Sequence, residues 1–213
     1  LNVVSFGIKN LKSDVKFIKI KKNMKNFQIT IEMNNLRKNF TVLNNFQSNI
    51  YNTLSALAII SVYEDIFQLD ERSFLNFKTP SGRGDLLKVK IKKKTINLID
   101  ETYNSNPLSL KSAILNYDKI DSKGSKKYLL IGNMLELGRL SNKLHQSIAP
   151  TINRTKVDKV FVKGRKVIYM FNKISRSKRG RILYNTQQII DLIKNDLNNN
   201  DYLMIKASNA TGF

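Results

Sequence analysis

The chain has 213 residues, enough for one large domain or two small ones, and its 41% hydrophobic and 25% charged residues are typical of a globular protein with a core. It contains no cysteine, which excludes disulfides, thiolate metal sites and a cysteine nucleophile. Its only histidine, His145, would have to carry any zinc site or Ser-His-Asp triad. No apolar run approaches the ~20 residues of a membrane span and no signal peptide precedes the first strand-like segment, so we expect a soluble, cytoplasmic protein with no membrane partner.

The formal net charge is +21, from 37 Lys and Arg against 16 Asp and Glu. Such a balance favours nucleic acid as a partner, because a basic face neutralises phosphates. The basic residues are scattered through every segment, however, instead of lying with aromatic residues on one stripe. We therefore expect no nucleic-acid partner, while the charge would steer anionic substrates in either case.

The first part of the chain, residues 1–82, is predicted to combine strands with helices. Alternating apolar residues predict the strands, and Asn34-Asn35 is typical of a hairpin turn between two of them. A helix from residue 48 to about residue 65 has apolar side chains at helical spacing, with Ser48 or Asn49 as its cap, and a second short helix covers residues 70–77. The strands are predicted at residues 3–8, 14–20, 27–33 and 39–43.

A Pro and two Gly fall within residues 79–84, which places a domain boundary there, with the second domain at residues 83–213. In this second part, short apolar runs alternate with helical segments. Such alternation predicts an α/β fold with a Rossmann-like, mostly parallel sheet, right-handed crossovers and helices on both faces. The predicted strands are residues 95–100, 127–132, 159–162, 181–184 and 202–206, and the predicted helices are residues 107–117, 141–152, 165–171 and 186–197.

Polar residues follow three of these strands, and in open α/β sheets ligands bind outside the carboxyl ends of the strands. The first such segment, residues 100–107, can bind ribose hydroxyls, phosphate or peptide groups. The alternative is that Asn106 only caps the following helix. The carboxylates, phenol and amides of this segment belong to Asp100, Glu101, Tyr103, Asn104 and Asn106.

Two further loops carry candidate residues. Residues 132–138 hold Asn133 and Glu136 between two glycines, and the following helix bears His145, although a lone histidine on a helix is more often structural than catalytic. After the last strand, Lys206 could reach an anion near Ser208, or could be a solvated charge.

Together these segments resemble motifs of the Mur ligase family, in the branch whose members add D-alanyl-D-alanine. Residues 99–107 are similar to its signature I-D-D-S-Y-N-A-N-P, and residues 132–145 are similar to G-D-M-L-E-L-G-x-x-S-x-x-x-H. Residues 82–84 resemble the G-R-G at the hinge between the central and C-terminal domains, residues 48–56 resemble H-N-x-x-N-x-L-A-A, and residues 205–208 resemble V-K-G-S. The five motifs follow the family's order over nearly the whole chain.

The resemblance implies a fragment of an ATP-dependent amide ligase of peptidoglycan precursor synthesis, with residues 1–82 as the end of the central ATPase domain and residues 83–213 as most of the C-terminal domain. Such an enzyme uses ATP and Mg²⁺ to phosphorylate the carboxylate of a UDP-N-acetylmuramoyl tripeptide, and the amine of D-Ala-D-Ala attacks the acyl phosphate. We expect it to act as a monomer. By resemblance, ATP is bound by Asn49, Asn52, Arg83 and either Asp100 or Glu101, and the substrates are bound by Tyr103, Asn104, Asn106, Asn133, Glu136, His145, Lys206 and Ser208, with no catalytic residue and no metal ligand assigned.

The chain departs from the family pattern in several places. Ser48, Glu101, Asn133 and Ala207 stand where the family has His, Asp, Asp and Gly. The family's phosphate-binding G-x-x-G-K-[ST] occurs nowhere in the 213 residues, so we expect this chain alone to have no ligase or ATPase activity. His145 lies one helical turn beyond Ser141 and is expected to hold Glu136 by a hydrogen bond or to pack beneath it.

Two alternatives remain at this stage. A related amide ligase such as a folylpolyglutamate synthase shares the domain plan but has a G-A-H-N-P-type turn where residues 103–107 stand. A basic nucleic-acid-binding module would need Lys and Arg clustered on one face.

Overall fold

The computed structural model describes residues 3–10, 12–43, 45, 47–76 and 81–212. The chain divides into two compact units, Leu1–Lys78 and Thr79–Phe213. The expected domain boundary lies slightly later, after residue 82. Thr79 and Pro80 of the predicted boundary segment lie outside the described residues.

The first unit contains a four-stranded sheet in the order β1-β2-β3-β4, with β1 parallel to β2 and the other pairs antiparallel. Asn34 and Asn35 form the predicted hairpin turn between β3 and β4, and both have positive φ, at 52° and 62°. Asn tolerates this left-handed conformation, which such hairpin turns require. The elements of this unit are β1 (Phe6–Gly7), β2 (Val15–Lys22), β3 (Phe27–Met33), β4 (Leu36–Val42) and α1 (Gln47–Ile60).

The core of the first unit lies between this sheet and α1. Ile29, Ile31 and Phe40 of the sheet and Leu54 and Leu57 of α1 are fully buried in one cluster. The apolar spacing that predicted α1 therefore marks the face that packs on the sheet.

Three predictions for the first unit are wrong in detail. The strand predicted at residues 3–8 is only β1, and α1 begins at Gln47, so Ser48 and Asn49 lie inside the helix and do not cap it. Residues 71–76 form turns instead of a helix, and Phe77 lies outside the described residues. Asp70 caps this segment by accepting from the backbone N–H of Arg72 at 2.6 Å, but the backbone N–H groups of Ser73 and Leu75 bond three residues back, as in separate turns.

The second unit is built on a six-stranded sheet in the order β5-β6-β10-β7-β8-β9. All neighbouring pairs are parallel except β5 with β6, which confirms the predicted mostly parallel sheet. β5 was not predicted, and it forms a hairpin with β6 through a turn at Lys92, where φ is 53°. The strands are β5 (Asp85–Ile91), β6 (Lys94–Glu101), β7 (Lys127–Gly132), β8 (Lys159–Lys163), β9 (Arg179–Leu183) and β10 (Tyr202–Lys206).

The helices of this unit confirm the predicted pattern; α2 is one residue longer than predicted and the others are shorter. The helix predicted at residues 141–152 is two helices, the second with Pro150 in its first turn, because proline lacks the N–H that would continue the first. The helix predicted at residues 186–197 changes to a π-helical segment, Leu192–Asp196. The helices are α2 (Pro107–Asp118), α3 (Ser141–Gln146), α4 (Ala149–Asn153), α5 (Ile168–Phe171) and α6 (Thr186–Asp191).

Both faces of the six-stranded sheet are covered by helices, as predicted. All six residues of β7 are buried, which is why this strand is an apolar run without alternation. Leu129 and Ile131 pack in one cluster with residues of α2 and α4, whereas Leu130 packs on the opposite face with Ile189 of α6. Within the described ranges, no helix is long and apolar enough to cross a bilayer.

Candidate functional site

The three loops singled out in the sequence follow β6, β10 and β7, which are neighbours in the sheet. Because these strands are parallel, their carboxyl ends lie at the same edge. Lys206, the last residue of β10, is in register with Glu101 of β6 and Ile131 of β7. The sheet therefore brings the three predicted loops together.

Lys206 joins β10 to the loop after β6. Its ammonium group is buried, 3.1 Å from Oε2 of Glu101, and donates to the carbonyl of Asn104 at 2.9 Å. The alternative of a solvated charge is thus wrong. All the contacts that the structure gives this ammonium are with β6 and its loop, and the side chain of Asn104 remains exposed.

Ser208 joins all three loops. Its Oγ accepts a hydrogen bond from the backbone N–H of Leu135 at 3.1 Å and lies 3.4 Å from the carbonyl of Ser105, to which it donates. Its own backbone N–H donates to the carbonyl of Asn133 at 3.3 Å. The side chain is 5% exposed, so its hydrogen bonds lie within the protein.

His145 is bonded to the backbone of the loop after β7. The backbone N–H of Met134 donates to Nε2 of His145 at 3.0 Å, and Nδ1 lies 2.7 Å from the carbonyl of Ser141. A carbonyl can only accept, so Nδ1 carries the proton and Nε2 is the acceptor, which makes the imidazole neutral. Burial lowers the pKa of His145, the hydrogen bond to Ser141 raises it and the charge of Lys166 lowers it.

The expected hydrogen bond between His145 and Glu136 is not formed; the bond to the loop goes to Met134 instead. Glu136 is exposed, with φ at 61°. No other described residue donates a hydrogen bond to its carboxylate or forms an ion pair with it. The carboxylate of Glu136 is therefore exposed to solvent, while the backbone of its loop is held by hydrogen bonds to the buried side chains of His145 and Ser208.

Asn133 connects the loop after β7 to the turn after β8 by hydrogen bonds. Its Oδ1 accepts from the backbone N–H groups of Lys166 and Val167, both at 3.0 Å. Gly164 has φ at 126°, and a Cβ at this position would lie 2.5 Å from Oδ1 of Asn133. Only glycine permits this approach, and nothing in the local sequence singled it out.

The loop after β6 is held by its own side chains. Oδ1 of Asp100 accepts from the backbone N–H and the hydroxyl of Thr102, at 3.0 and 2.7 Å. Asn106 caps α2: its Oδ1 accepts from the backbone N–H of Ser109 at 2.8 Å, while Ser109 Oγ accepts from the N–H of Asn106 at 3.1 Å. The capping interpretation of Asn106 is thus confirmed, and a direct role in binding substrate stays a prediction.

Arg83 and Tyr103 form an exposed pair at the same edge. The guanidinium carbon lies 4.2 Å from the centre of the Tyr103 ring, a distance typical of a cation–π contact. Gly82 makes the approach possible: φ is 77°, the backbone N–H of Tyr103 donates to its carbonyl at 3.1 Å, and a Cβ there would lie 2.9 Å from that nitrogen. The sequence placed both residues near ligands but did not predict the stack.

The other predicted ATP-binding residues, Asn49 and Asn52, belong to the first unit. They lie three residues apart on α1 and therefore on neighbouring positions of its surface. Asn52 is exposed and Asn49 is half-buried.

In the part of the chain that the structure describes, no three His, Cys, Asp or Glu residues come together. These residues therefore form no cluster that could hold a cation by protein ligands alone.

Comparison with protein families identifies the second unit. Residues 83–209 match the family described as "Mur ligase, glutamate ligase domain", which covers more than half of the chain.

Two curated relatives carry one name, UDP-N-acetylmuramoyl-tripeptide--D-alanyl-D-alanine ligase. The protein from Bacillus subtilis is 25% identical over 163 residues, which are 75% of this chain and 35% of the relative. The protein from Rickettsia prowazekii is 23% identical over 207 residues, which are 97% of this chain and 44% of the relative. The chain thus spans less than half the length of either relative.

The fold also matches solved structures. A crystal structure of a MurF ligase from Thermotoga maritima in complex with ADP superposes with a TM-score of 0.73 at 20% identity. The match covers 99% of this chain and 46% of that one. At this identity the likeness establishes the fold.

Proposed function

This chain belongs to the Mur ligase family, and on that premise we propose that it serves in the ATP-dependent ligation of D-alanyl-D-alanine to a UDP-N-acetylmuramoyl tripeptide. The two relatives described above are named for this reaction. The similar ligase from Thermotoga maritima was crystallised with ADP, which supports ATP as the energy source. The product would be a precursor of peptidoglycan.

One observation carries the proposal. The two segments that resemble the D-alanyl-D-alanine-adding branch, residues 99–107 and 132–145, are separate in the sequence but meet at one edge of the sheet. Ser208 bonds to both of them, through the carbonyl of Ser105 and the N–H of Leu135. The two motifs are therefore neighbours in the fold, which supports a shared role in binding the dipeptide.

In this reaction ATP phosphorylates the tripeptide carboxylate, the amine of the dipeptide attacks the acyl phosphate, and phosphate leaves. Phosphorylation is needed because a carboxylate oxygen is a poor leaving group. Arg83, exposed and stacked on Tyr103, is proposed to contact a phosphate group. Tyr103, Asn104 and Glu136 offer exposed polar groups for the dipeptide side.

Asp100 is the better of the two carboxylates for binding the ribose. Glu101 is paired with the ammonium of Lys206, so its charge and one of its oxygens are already engaged. Asp100 uses only Oδ1 toward Thr102, which leaves Oδ2 for a ribose hydroxyl. Asn49 and Asn52 are proposed to contact the adenine. Mg²⁺ would accompany the ATP phosphates in the complete enzyme, since this ion is held by phosphate oxygens together with one or two carboxylates.

A domain exchange tests the proposal. Residues 83–213 would replace the corresponding domain of the Bacillus subtilis relative, and phosphate release would be measured with ATP, the UDP-linked tripeptide and an amine. We expect release to require both the tripeptide and D-Ala-D-Ala, with no release when L-glutamate replaces the dipeptide.

The unmodified relative is the positive control; ATP binding verifies the retained part of the relative, and a cooperative thermal transition of the exchanged domain verifies that residues 83–213 are folded. Release driven by L-glutamate would instead favour a glutamate-adding ligase. An exchanged protein that binds ATP but does not respond to D-Ala-D-Ala would refute the proposal.

A further inference from the structure

Two consecutive backbone N–H groups of the loop after β7 are each bound by a side chain from another part of the chain. Met134 donates to Nε2 of His145 on α3 at 3.0 Å, and Leu135 donates to Oγ of Ser208 at 3.1 Å. His145 is 1% exposed and Ser208 5% exposed. Neither side chain is therefore available to touch a ligand directly, although both lie in motifs that the sequence linked to substrate.

The contact with His145 depends on one protonation state. Nε2 accepts from Met134 only while it carries no proton, and the hydrogen bond from Nδ1 to the carbonyl of Ser141 at 2.7 Å selects that tautomer. Met134 is itself buried, at 2% exposure, so its N–H has no access to water if the imidazole is lost.

Glu136 lies two residues beyond Met134 in the same loop. Glu136 has φ at 61°, a conformation that a non-glycine residue adopts only when its surroundings hold it there. Its carboxylate is exposed and has no partner among the described residues. A carboxylate without a protein partner suits an ammonium group, and the proposed reaction takes a dipeptide amine, which is an ammonium ion at neutral pH.

Resting on the proposed function, we propose that His145 is a positioning residue: its neutral imidazole holds the backbone of Met134 so that Glu136 faces the ammonium group of the incoming dipeptide. His145 itself touches neither substrate. The dipeptide is recognised by its free amine, so an N-acetylated dipeptide is not bound.

Two matched variants test the contact in the 213-residue chain. His145→Leu fills similar space but accepts no hydrogen bond, whereas His145→Gln keeps an oxygen near the position of Nε2. We expect hydrogen exchange of the Met134 amide, measured by NMR, to be about tenfold faster or more in the Leu variant and to be restored in the Gln variant. The amides of Leu129 and Ile131 in β7 serve as the internal reference. Unchanged exchange at Met134 in the Leu variant would overturn the proposal.

The unmodified chain provides a measurement that does not depend on a variant folding. Because His145 is the only histidine, its ring nitrogens give one set of NMR signals. We expect the Nδ1-protonated neutral tautomer at pH 8. The Nε2-protonated tautomer could not accept from Met134 and would overturn the proposal.

A ligand titration tests the role of the loop. Added D-Ala-D-Ala should shift the amide signal of Glu136, and N-acetyl-D-Ala-D-Ala at the same concentration should not. The apparent Kd should rise about tenfold in His145→Leu and return toward the original value in His145→Gln, as expected when a supporting residue is removed. Equal shifts with both dipeptides, no shift at all, or an unchanged Kd in the Leu variant would overturn the proposal. The proposed function is judged separately, by ligation in the domain exchange.

Discussion

At the amino-terminal edge of the six-stranded sheet, Lys127, Asp158 and Asp201 use their charged groups to bind the backbone, whereas at the carboxyl-terminal edge Arg83 and Glu136 leave theirs exposed. At the first edge, the buried ammonium of Lys127 donates to the carbonyls of Asp118 and Ile120 at the end of α2. Asp158 and Asp201 accept from the backbone N–H groups of Lys127 and Lys126, at 2.8 and 3.0 Å.

At the second edge the buried polar groups, Lys206, Ser208 and His145, hold three loops together. The side chains exposed at this edge include the guanidinium of Arg83 before β5, the phenol of Tyr103 and the carboxylate of Glu136. The comparison teaches that polar content alone does not locate the candidate site. The candidate site is marked instead by side chains that remain exposed on a backbone that other side chains hold.

The largest expected effect lies at the amino-terminal edge. Lys127→Met removes the ammonium that satisfies carbonyls at the end of α2, and we expect the free energy of unfolding to fall by about 3 kcal/mol, because hydrogen bonds to buried charged groups are strong. Thermal or urea unfolding measures it. The neighbouring Lys126→Met is the control, since Lys126 is exposed and its hydrogen bonds are made by its backbone N–H and carbonyl. A similar loss in both variants would contradict the explanation.

Acidification should cause a smaller loss, at the carboxyl-terminal edge. The folded-state pKa of His145 lies below the ordinary value of 6.5, so the stability that its neutral form contributes is complete above that value. It is lost as the pH falls through the lowered pKa, since protonated Nε2 cannot accept from Met134. Urea unfolding at a series of pH values measures this. The His145→Gln variant should lack this component, and an identical pH dependence in both proteins would contradict the assignment.

Removing a hydroxyl from the loop after β6 should stabilise the protein. Ser105 is 2% exposed, and its Oγ is buried without a hydrogen-bond partner among the described residues. The family signature has alanine at this position. We expect Ser105→Ala to raise the free energy of unfolding by about 1 kcal/mol, because the hydroxyl is desolvated without compensation. A lower melting temperature would show that the hydroxyl has a partner in solution.

The smallest effect on stability is expected at Glu136, which the proposed function assigns to the dipeptide side. Glu136→Gln should change the free energy of unfolding by less than about 0.5 kcal/mol, as is usual for an exposed side chain. In the exchanged ligase it should nevertheless raise the KM for D-Ala-D-Ala, without raising the KM for ATP. If the melting temperature falls and the dipeptide KM does not change, the loop is scaffolding and Glu136 is not part of the site.

Sequence patterns predicted best three strands with continuous or alternating apolar residues. The predicted limits of β3, β7 and β10 match those observed. β5 was missed because Leu86, Leu87 and two lysines are exposed on it, so it shows no buried face. The segment predicted as a helix from residue 70 forms separate turns with bonds from Ser73 to Asp70 and from Leu75 to Arg72, a difference that apolar spacing alone does not reveal.

In the candidate site, too, some features were predictable from the sequence and others were not. The cap formed by Asn106 is a local feature and was predictable, and the strand ends located the three loops. The burial of His145 and Ser208 depends on contacts between distant segments. The sequence could therefore group them with the substrate-binding residues, but it could not show that they hold the loop backbone instead of contacting a ligand. Gly164 was missed for the same reason, since its requirement comes from Asn133, which belongs to another strand end.

β5 lies at the open edge of its sheet, and there the excess of positive charge opposes association between copies of the chain. β5 pairs only with β6 in this sheet, and its exposed Leu86 and Leu87 could seed pairing with another copy of the chain. Lys88 and Lys90 lie exposed on the same strand, and like charges on a second copy repel them. In 1 M salt the screening length falls to about 3 Å. Concentrated salt should therefore favour aggregation through this strand, and the basic composition then acts as protection against self-association.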